Sequence, residues 1–364
     1  MSVDHDRRCA RALRQAKKAG CGALLVTSTV NVRYLSGFAG EDSWLVVAPA
    51  GRTLITDSRF VEEAERSSPG SLLHLRKGKI ADEAADILKK AGTPVGFEAR
   101  HVPVAVFERI RSRLRGRAHL VATEGIVEAL RRVKDTREIE QMRKAAVAAV
   151  SAFRRAAVDF PGTGSENDFA AALEYHMRLE GSEGAAFPTI VAREPNSSLP
   201  HARPSDERLC DAATFLVDWG ARLGGYNCDL TRLVARDKVS ARVSDIWRVL
   251  TRARKAALAL IKPGVSVRRV DAAARSIIAE AGYGEFFGHG LGHGVGLEVH
   301  EEPVLSPRSS ARLSKGMVVT VEPGIYLPGE AGARLEDMVQ VTENGMRILT
   351  RLARDPAALG RRFR

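Results

Sequence analysis

Apolar and polar positions follow two rhythms along the chain. Short apolar runs at 22–26, 44–48 and 53–56, each bounded by turn residues, predict β-strands. Stretches at 8–19, 59–67 and 80–91 repeat their apolar positions at helical spacing. A strand at 94–97 and a helix at 104–113 continue the series. Strand–helix alternation of this kind predicts an α/β domain over residues 1–125.

From residue 124 the pattern changes. A helical stretch at 124–132 leads to Asp135, with Glu138 three residues later, the reciprocal cap of a helix start. Ile139, Met142, Ala146, Val150 and Phe153 share one face, so this helix packs against a core. Pro161 and Gly162 are its predicted stop, and Ser165 to Asp168 cap the next helix. Beyond residue 187 strand-like runs and glycines dominate, apart from a helix pair at 243–281 split at Pro263-Gly264. Residues 126–364 are therefore predicted as an α+β domain.

This second domain echoes itself. The apolar run from Thr214 ends at Asp218, and past a glycine turn a second strand carries Asp229. The run from Met317 ends at Glu322, and its return strand carries Glu336. With the first turn centred on Leu223-Gly224, Asp218 faces Asp229 with Cβ atoms about 5 Å apart. With the second centred on Gly329, Glu322 faces Glu336. Like charges so placed repel unless a cation lies between them. Between the echoes, Gly288 to Gly296 sets glycine at every second position around His289 and His293, and His300-Glu301 follow. Glycine lets a backbone or ligand approach closely, and imidazole is both a metal ligand and a proton shuttle. Four carboxylates and a histidine form a hard donor set suited to two metals.

Composition narrows the partners. The 364 residues carry 45% hydrophobic and 27% charged side chains, as an ordinary globular chain does. Net charge is +12, but the arginines are scattered with few aromatics between them, which speaks against a nucleic-acid surface. No apolar run reaches membrane-spanning length, and residues 1–17 lack the apolar core of a signal peptide. The four cysteines form no CxxC pair, which favours the reducing cytoplasm.

Several blocks together resemble a known family. Val217-Asp218-Trp219-Gly220-Ala221, Asp229-Leu230-Thr231-Arg232, residues 288–301, Val321-Glu322-Pro323-Gly324-Ile325-Tyr326 and Arg334-Leu335-Glu336-Asp337 resemble the creatinase/aminopeptidase P/prolidase metallopeptidases, family M24. Residues 31–38 and 54–60 resemble that family's N-terminal domain. The resemblance implies an α/β creatinase-like domain, 1–125, and an α+β pita-bread catalytic domain with an internal pseudo-two-fold repeat, 126–364. It further implies Asp218, Asp229, His293, Glu322 and Glu336 as metal ligands. His201, His289 and His300 would act on the substrate as acid/base or carbonyl-polarising groups. Glu322 would accept the proton of the attacking water, and Arg334 would orient a metal-site carboxylate and touch substrate. Two divalent ions are implied, Mn²⁺ first, with Co²⁺ or Zn²⁺ as alternatives, holding a hydroxide that attacks the scissile carbonyl.

Two departures stand out: Glu194 replaces a common glycine near the pocket, and Leu233 replaces a threonine after Thr231-Arg232. The expected activity is that of a Xaa-Pro aminopeptidase on small peptides, in a homodimer. A Xaa-Pro dipeptidase shares the metal site and needs a cation for the substrate carboxylate, from Arg203 or Arg334. A non-catalytic pita-bread binding protein is the third reading, at odds with five intact ligand positions.

Overall fold

The computed structural model describes residues 4–91, 94–160 and 162–363, in two compact units, Met1–Arg131 and Arg132–Arg364. The first unit is built on a six-stranded sheet. Its strands are β1 (Ala23–Val26), β2 (Trp44–Ala48), β3 (Gly51–Thr56), β4 (Ser71–Leu75), β5 (Val95–Glu98) and β6 (Leu120–Thr123), in the order β4-β3-β2-β1-β5-β6. The central strand β1 is buried on both faces because helices cover the sheet. These are α1 (His5–Lys18), α2 (Thr29–Ser36), α3 (Val61–Ser67), α4 (Ile80–Ala91), α5 (Val104–Leu114) and α6 (Glu128–Arg131). Three elements, α2 and the two edge strands β4 and β6, carried no legible pattern. The edge strands are only partly buried, so neither period-2 alternation nor a continuous apolar run marks them.

In the second unit, α7 (Thr136–Asp159) starts at Asp135 with the expected reciprocal cap: Arg137 and Glu138 N–H groups donate to Asp135 and the Asp135 N–H donates to Glu138. Met142, Ala146, Val150 and Phe153 are buried on its inner face. Pro161 lies outside the described residues. The helix α8 (Glu166–Leu179) is capped by Ser165 and Asp168. The split at Pro263-Gly264 separates α9 (Ala241–Leu260) from α10 (Val267–Glu280).

Two helix pairs back two sheets. Phe153 and Phe169 of α7 and α8 pack on Phe215 and Trp219. The Trp219 ring stacks on Phe153 at 4.8 Å, and its indole N–H donates to Ala149 O at 3.0 Å. The sheet against them joins β8 (Ile190–Arg193), β9 (Thr214–Trp219) and β12 (Leu230–Ala235), beside a smaller one of β7 (Gly184–Ala185), β10 (Ala221–Leu223) and β11 (Tyr226–Asn227). On the other side, α9 and α10 pack on β15 (Val318–Val321) and β18 (Asp337–Val341). That sheet also holds β13 (Gly292–Gly294), β14 (Glu301–Leu305) and β19 (Met346–Ile348), and β16 (Gly324–Leu327) pairs with β17 (Ala331–Arg334). The fold is the mixed α/β arrangement expected of a pita-bread domain following a creatinase-like one. A short helix, α11 (Pro356–Gly360), closes the chain.

One register differs from expectation. In the first hairpin Asp218 pairs with Thr231 and Trp219 with Leu230, so Asp229 lies diagonally from Asp218 rather than opposite. The turn sits on Gly224-Gly225, one residue later than predicted, and both glycines have positive φ, 59° and 78°. A two-residue turn with two positive φ values matches the twist of the paired strands. Moving the centre by one residue shifts the pairing by two, which preserves the face and keeps both carboxylates on one side. The second hairpin has the predicted register: Val321 pairs with Asp337 and Gly324 with Arg334, which sets Glu322 against Glu336.

Close approach in the first hairpin depends on Gly220. A Cβ there would lie 1.8 Å from Cys228 O. Gly220→Ala is therefore expected to destabilise the protein by about 1–3 kcal/mol. Gly345→Ala, where nothing lies within 4 Å, is the control. Urea unfolding of the two variants checks this, and equal midpoints would refute it.

Candidate metal centre

Strand ends bring the five expected ligands together. Asp218 is the last residue but one of β9 and Asp229 precedes β12; His293 is the middle residue of β13; Glu322 follows β15, and Glu336 precedes β18. Both aspartates and Glu336 are buried. His293 Nε2 lies 3.3 Å from Glu322 Oε1 and 3.7 Å from Asp229 Oδ2. One potential ligand atom each from Asp229, His293 and Glu336 lies within 4.8 Å of the others.

Hydrogen bonds hold these oxygens in place. Arg334 Nη2 donates to Asp218 Oδ2 at 2.5 Å, as the sequence suggested. Thr231 donates to Glu336 Oε2 at 2.6 Å, while Arg334 Nε donates to Thr231 Oγ1 at 3.0 Å. The Thr320 hydroxyl donates to Glu322 Oε1 at 3.0 Å and accepts from the His293 N–H at 3.0 Å. His293 Nδ1 is engaged by Gly294 O at 3.0 Å, leaving Nε2 toward the carboxylates. That is the usual way to fix the tautomer of a ligating histidine.

Electrostatics identify what the cluster lacks. Burial, and then the charges of their carboxylate neighbours, push Asp229 and Glu336 well above the usual carboxylate range. Burial also raises Asp218, against the pull of Arg334. Glu322 is buried too, but the hydrogen bond and charge of His293 outweigh that and hold it down to about 2. Glu322 in turn raises His293 against the effect of burial. Among the described residues the four carboxylates face Arg334 and His293 as their main cations at the centre, and the buried Asp218 Oδ1 has no hydrogen-bond partner. A hard oxygen-rich set with surplus negative charge and an orphaned oxygen fits divalent cations.

The other histidines stand around this set. His289 Nδ1 is engaged by Gly290 O at 2.7 Å, and its Nε2 lies 3.3 Å from the Tyr326 hydroxyl. Burial lowers its pKa. Arg275 of α10 fixes the same segment, donating to His289 O at 2.8 Å and Phe287 O at 3.1 Å. The His300 ring lies 4.3 Å from that of His293 on the exposed rim. Partial burial and then the His293 charge lower its pKa. His201 is exposed, on the loop after Pro200, whose carbonyl accepts from Arg334 at 3.2 Å. Arg334 itself is buried, its guanidinium committed to Asp218, Thr231, Tyr326 and Pro200.

Three neighbours were not assigned roles from sequence. Tyr326 accepts from Arg334 Nη1 at 2.6 Å, and burial pushes its phenol up to about 12. Thr231 and Thr320 orient Glu336 and Glu322. The correct hairpin register would have exposed Thr231, which pairs directly with Asp218. Glu194 needs correction: its carboxylate accepts from the Thr214 hydroxyl at the opposite end of β9 from Asp218. It is a structural partner of that strand, not a charge in the pocket. Cys228 is fully buried among core residues, as strand alternation implied.

Known proteins agree with this arrangement. Metallopeptidase family M24 matches residues 140–343, and the creatinase/prolidase N-terminal domain matches residues 8–133. The chain belongs to metallopeptidase family M24: it is a hydrolase acting on peptide bonds. A Bacillus subtilis (strain 168) relative, "Uncharacterized peptidase YqhT", is 39% identical over 91% of this chain and 94% of its own length. A solved Xaa-Pro dipeptidase from Bacillus anthracis superimposes with a TM-score of 0.93 at 33% identity, covering 97% of this chain and 99% of that one. A solved X-Pro aminopeptidase from Thermotoga maritima MSB8 gives a TM-score of 0.86 at 36% identity, covering 94% and 99%.

The raised carboxylates have a measurable consequence. A group whose pKa is raised in the folded, metal-free chain keeps its proton above the ordinary carboxylate value of about 4, and a cation must displace it. Metal titration at pH 6 is expected to release protons, seen as a binding enthalpy that changes with the ionisation enthalpy of the buffer. Buffer-independent binding by the unsubstituted chain would contradict it.

Proposed function

We propose that this chain is a Xaa-Pro aminopeptidase, releasing the first residue of small peptides whose second residue is proline. The observation that carries the aminopeptidase assignment is the commitment of Arg334. A dipeptidase needs a cation for the carboxylate just beyond the scissile bond, and Arg334, the one arginine among the described residues that is buried against these carboxylates, is spent on Asp218 and Tyr326. Asp218, Asp229, His293, Glu322 and Glu336 would hold two divalent ions, Mn²⁺ by the hardness of the donor set. When bound, these ions supply Lewis-acid activation of water and of the scissile carbonyl.

The chain's own groups do the rest. Glu322, held ionised by His293, takes the proton of the attacking water at its carboxylate and passes it to the leaving nitrogen. His201 and His300, on the rim, hydrogen-bond the scissile carbonyl and the oxyanion that develops there. His289, kept neutral by burial and fixed by Gly290 O, orients the substrate beside Tyr326. Arg334 is a positioning residue that fixes Asp218. Homodimeric assembly and a cytoplasmic location complete the reading. Among the described residues no helix is long and apolar enough to cross a membrane.

A dipeptidase is the second reading. It is supported by the Bacillus anthracis likeness and by Arg203, exposed two residues beyond His201. The Mn²⁺-loaded enzyme is expected to release the first residue of a Xaa-Pro-Yaa tripeptide faster than it cleaves a Xaa-Pro dipeptide, and a chelator should abolish both reactions. Arg203→Ala should leave tripeptide cleavage within about twofold of the parent; losing one good hydrogen-bonded ion pair would cost about tenfold or more in KM. Cleavage confined to the dipeptide, with a KM raised by Arg203→Ala, would establish the second reading instead.

A further inference from the structure

Nothing holds the His201 side chain directly: among the described residues no hydrogen bond, ion pair or ring contact engages its imidazole. Its position is set by the backbone of residues 193–205. On the metal side, Arg334 donates to Pro200 O at 3.2 Å, and Gly332 N–H donates to Ser197 Oγ at 3.0 Å. On the other side one buried carboxylate makes most of the contacts to the loop, beside the Glu194–Thr214 and Arg193–Glu207 pairs at its start. Glu166, the first residue of α8, is 0% exposed. Its Oε1 accepts from the Arg193 N–H at 2.7 Å. Its Oε2 accepts from the Ser205 N–H at 2.9 Å and the Ser205 hydroxyl at 2.7 Å. Asn196 Nδ2 lies 3.5 and 3.4 Å from the two oxygens. One side chain therefore ties down the start, the first turn and the end of the loop.

The helix start adds to the clamp. First-turn N–H groups have no partner within their helix. Here Glu166 N–H donates to Glu207 O at 3.1 Å and Asn167 N–H to Ser205 O at 3.0 Å. The same helix end favours a negative side chain. No cation pairs with Glu166 among the described residues, because the Arg193 guanidinium beside it binds Glu207 instead. Burying a carboxylate without a counter-ion is costly, so packing alone does not account for a glutamate here. Every partner is a donor, and only two acceptor oxygens satisfy them all. A glutamine turns an NH2 group against either Arg193 N–H or Ser205 N–H, and an aspartate is one methylene short.

We propose that Glu166 is a positioning residue for the peptidase reaction: it clamps the 193–205 loop and so places His201 against the metal centre. This rests on the role given to His201 above.

The test compares the Mn²⁺-loaded parent with Glu166→Gln, His201→Ala and the double variant, by amide hydrogen exchange and by tripeptide kinetics. Glu166→Gln should speed exchange within 193–205 but not in β15 or β18. It should lower kcat by up to about 100-fold, the scale of a misplaced catalytic group, with Mn²⁺ affinity unchanged. In the His201→Ala background it should lower kcat no further, since two changes acting through one group are not additive. Ser205→Ala removes one donor and should act in the same direction more weakly, and it carries the comparison should Glu166→Gln not fold. Losses that multiply in the double variant, or unchanged loop exchange, would overturn the proposal. Full kcat in His201→Ala alone would instead sink the role of His201, and loop exchange would then decide the clamp by itself.

Discussion

Four carboxylates share one buried space, and most of the second unit is arranged around that constraint. Moving an ionised carboxylate out of water costs several kcal/mol after relaxation, and like charges nearby add to it. Among the described residues the chief answer is one buried arginine and one histidine. Arg334 is absorbed by Asp218, and His293 by Glu322. Asp229 and Glu336 keep only weaker cationic neighbours, and burial first, then the charges of the other carboxylates, drive their pKa values upward. A chain that forces carboxylates together in this way is unstable to repulsion unless something positive joins them, which is why the donor set fits divalent ions.

The geometry that enforces the crowding comes from apolar packing rather than from the charges. Two helix pairs press two sheets from outside, through Phe153 and Trp219 on one side and Leu250, Val319 and Val339 on the other. Each acid lies within or just beyond the end of such a supported strand, so its backbone cannot retreat. Glycines then remove the last steric obstacles. Thr320 O lies 2.2 Å from where a Gly292 Cβ would sit, and Cys228 O lies 1.8 Å from that of Gly220. The repeat of strand, turn and strand makes the arrangement nearly symmetric, and the His-Gly segment supplies the one candidate ligand, His293, that the repeat does not.

Much of this was legible because local chemistry and tertiary structure agree. The cap at Asp135, the break at Pro263-Gly264 and the register around Gly329 follow from short-range rules, and the structure has all three. The first hairpin misled by one residue. Gly224 and Gly225 offer two adjacent turn centres, and the choice depends on strand twist, which composition does not reveal. Edge strands β4 and β6 were silent because partial exposure erases the alternation that marks a strand. Glu194 was misread because proximity in sequence to the pocket loop says nothing of direction; its side chain turns back to Thr214. Tyr326 lay inside a recognised block, and the register around Gly329 already set it diagonally from Arg334 on one face of the hairpin, but that neighbourhood was not drawn from the spacing.

The two rim histidines show how exposure and order are reconciled. Neither His201 nor His300 has a hydrogen bond to its own imidazole among the described residues, which is compatible with the substrate role proposed for both rings. Their order comes from the backbone instead. His300 precedes Glu301, which forms a buried ion pair with Lys134 at 2.8 Å, the side chains 5% and 1% exposed. His201 lies inside the segment clamped by Glu166. An ion pair gives strong attraction between two points, whereas a lone carboxylate with several N–H and O–H donors fixes several points of a loop at once. The long 193–205 loop needs the second kind of anchor, because among the described residues no strand pairing restrains it from 194 to 205. The His300 segment runs directly into β14, so one pinned residue is enough.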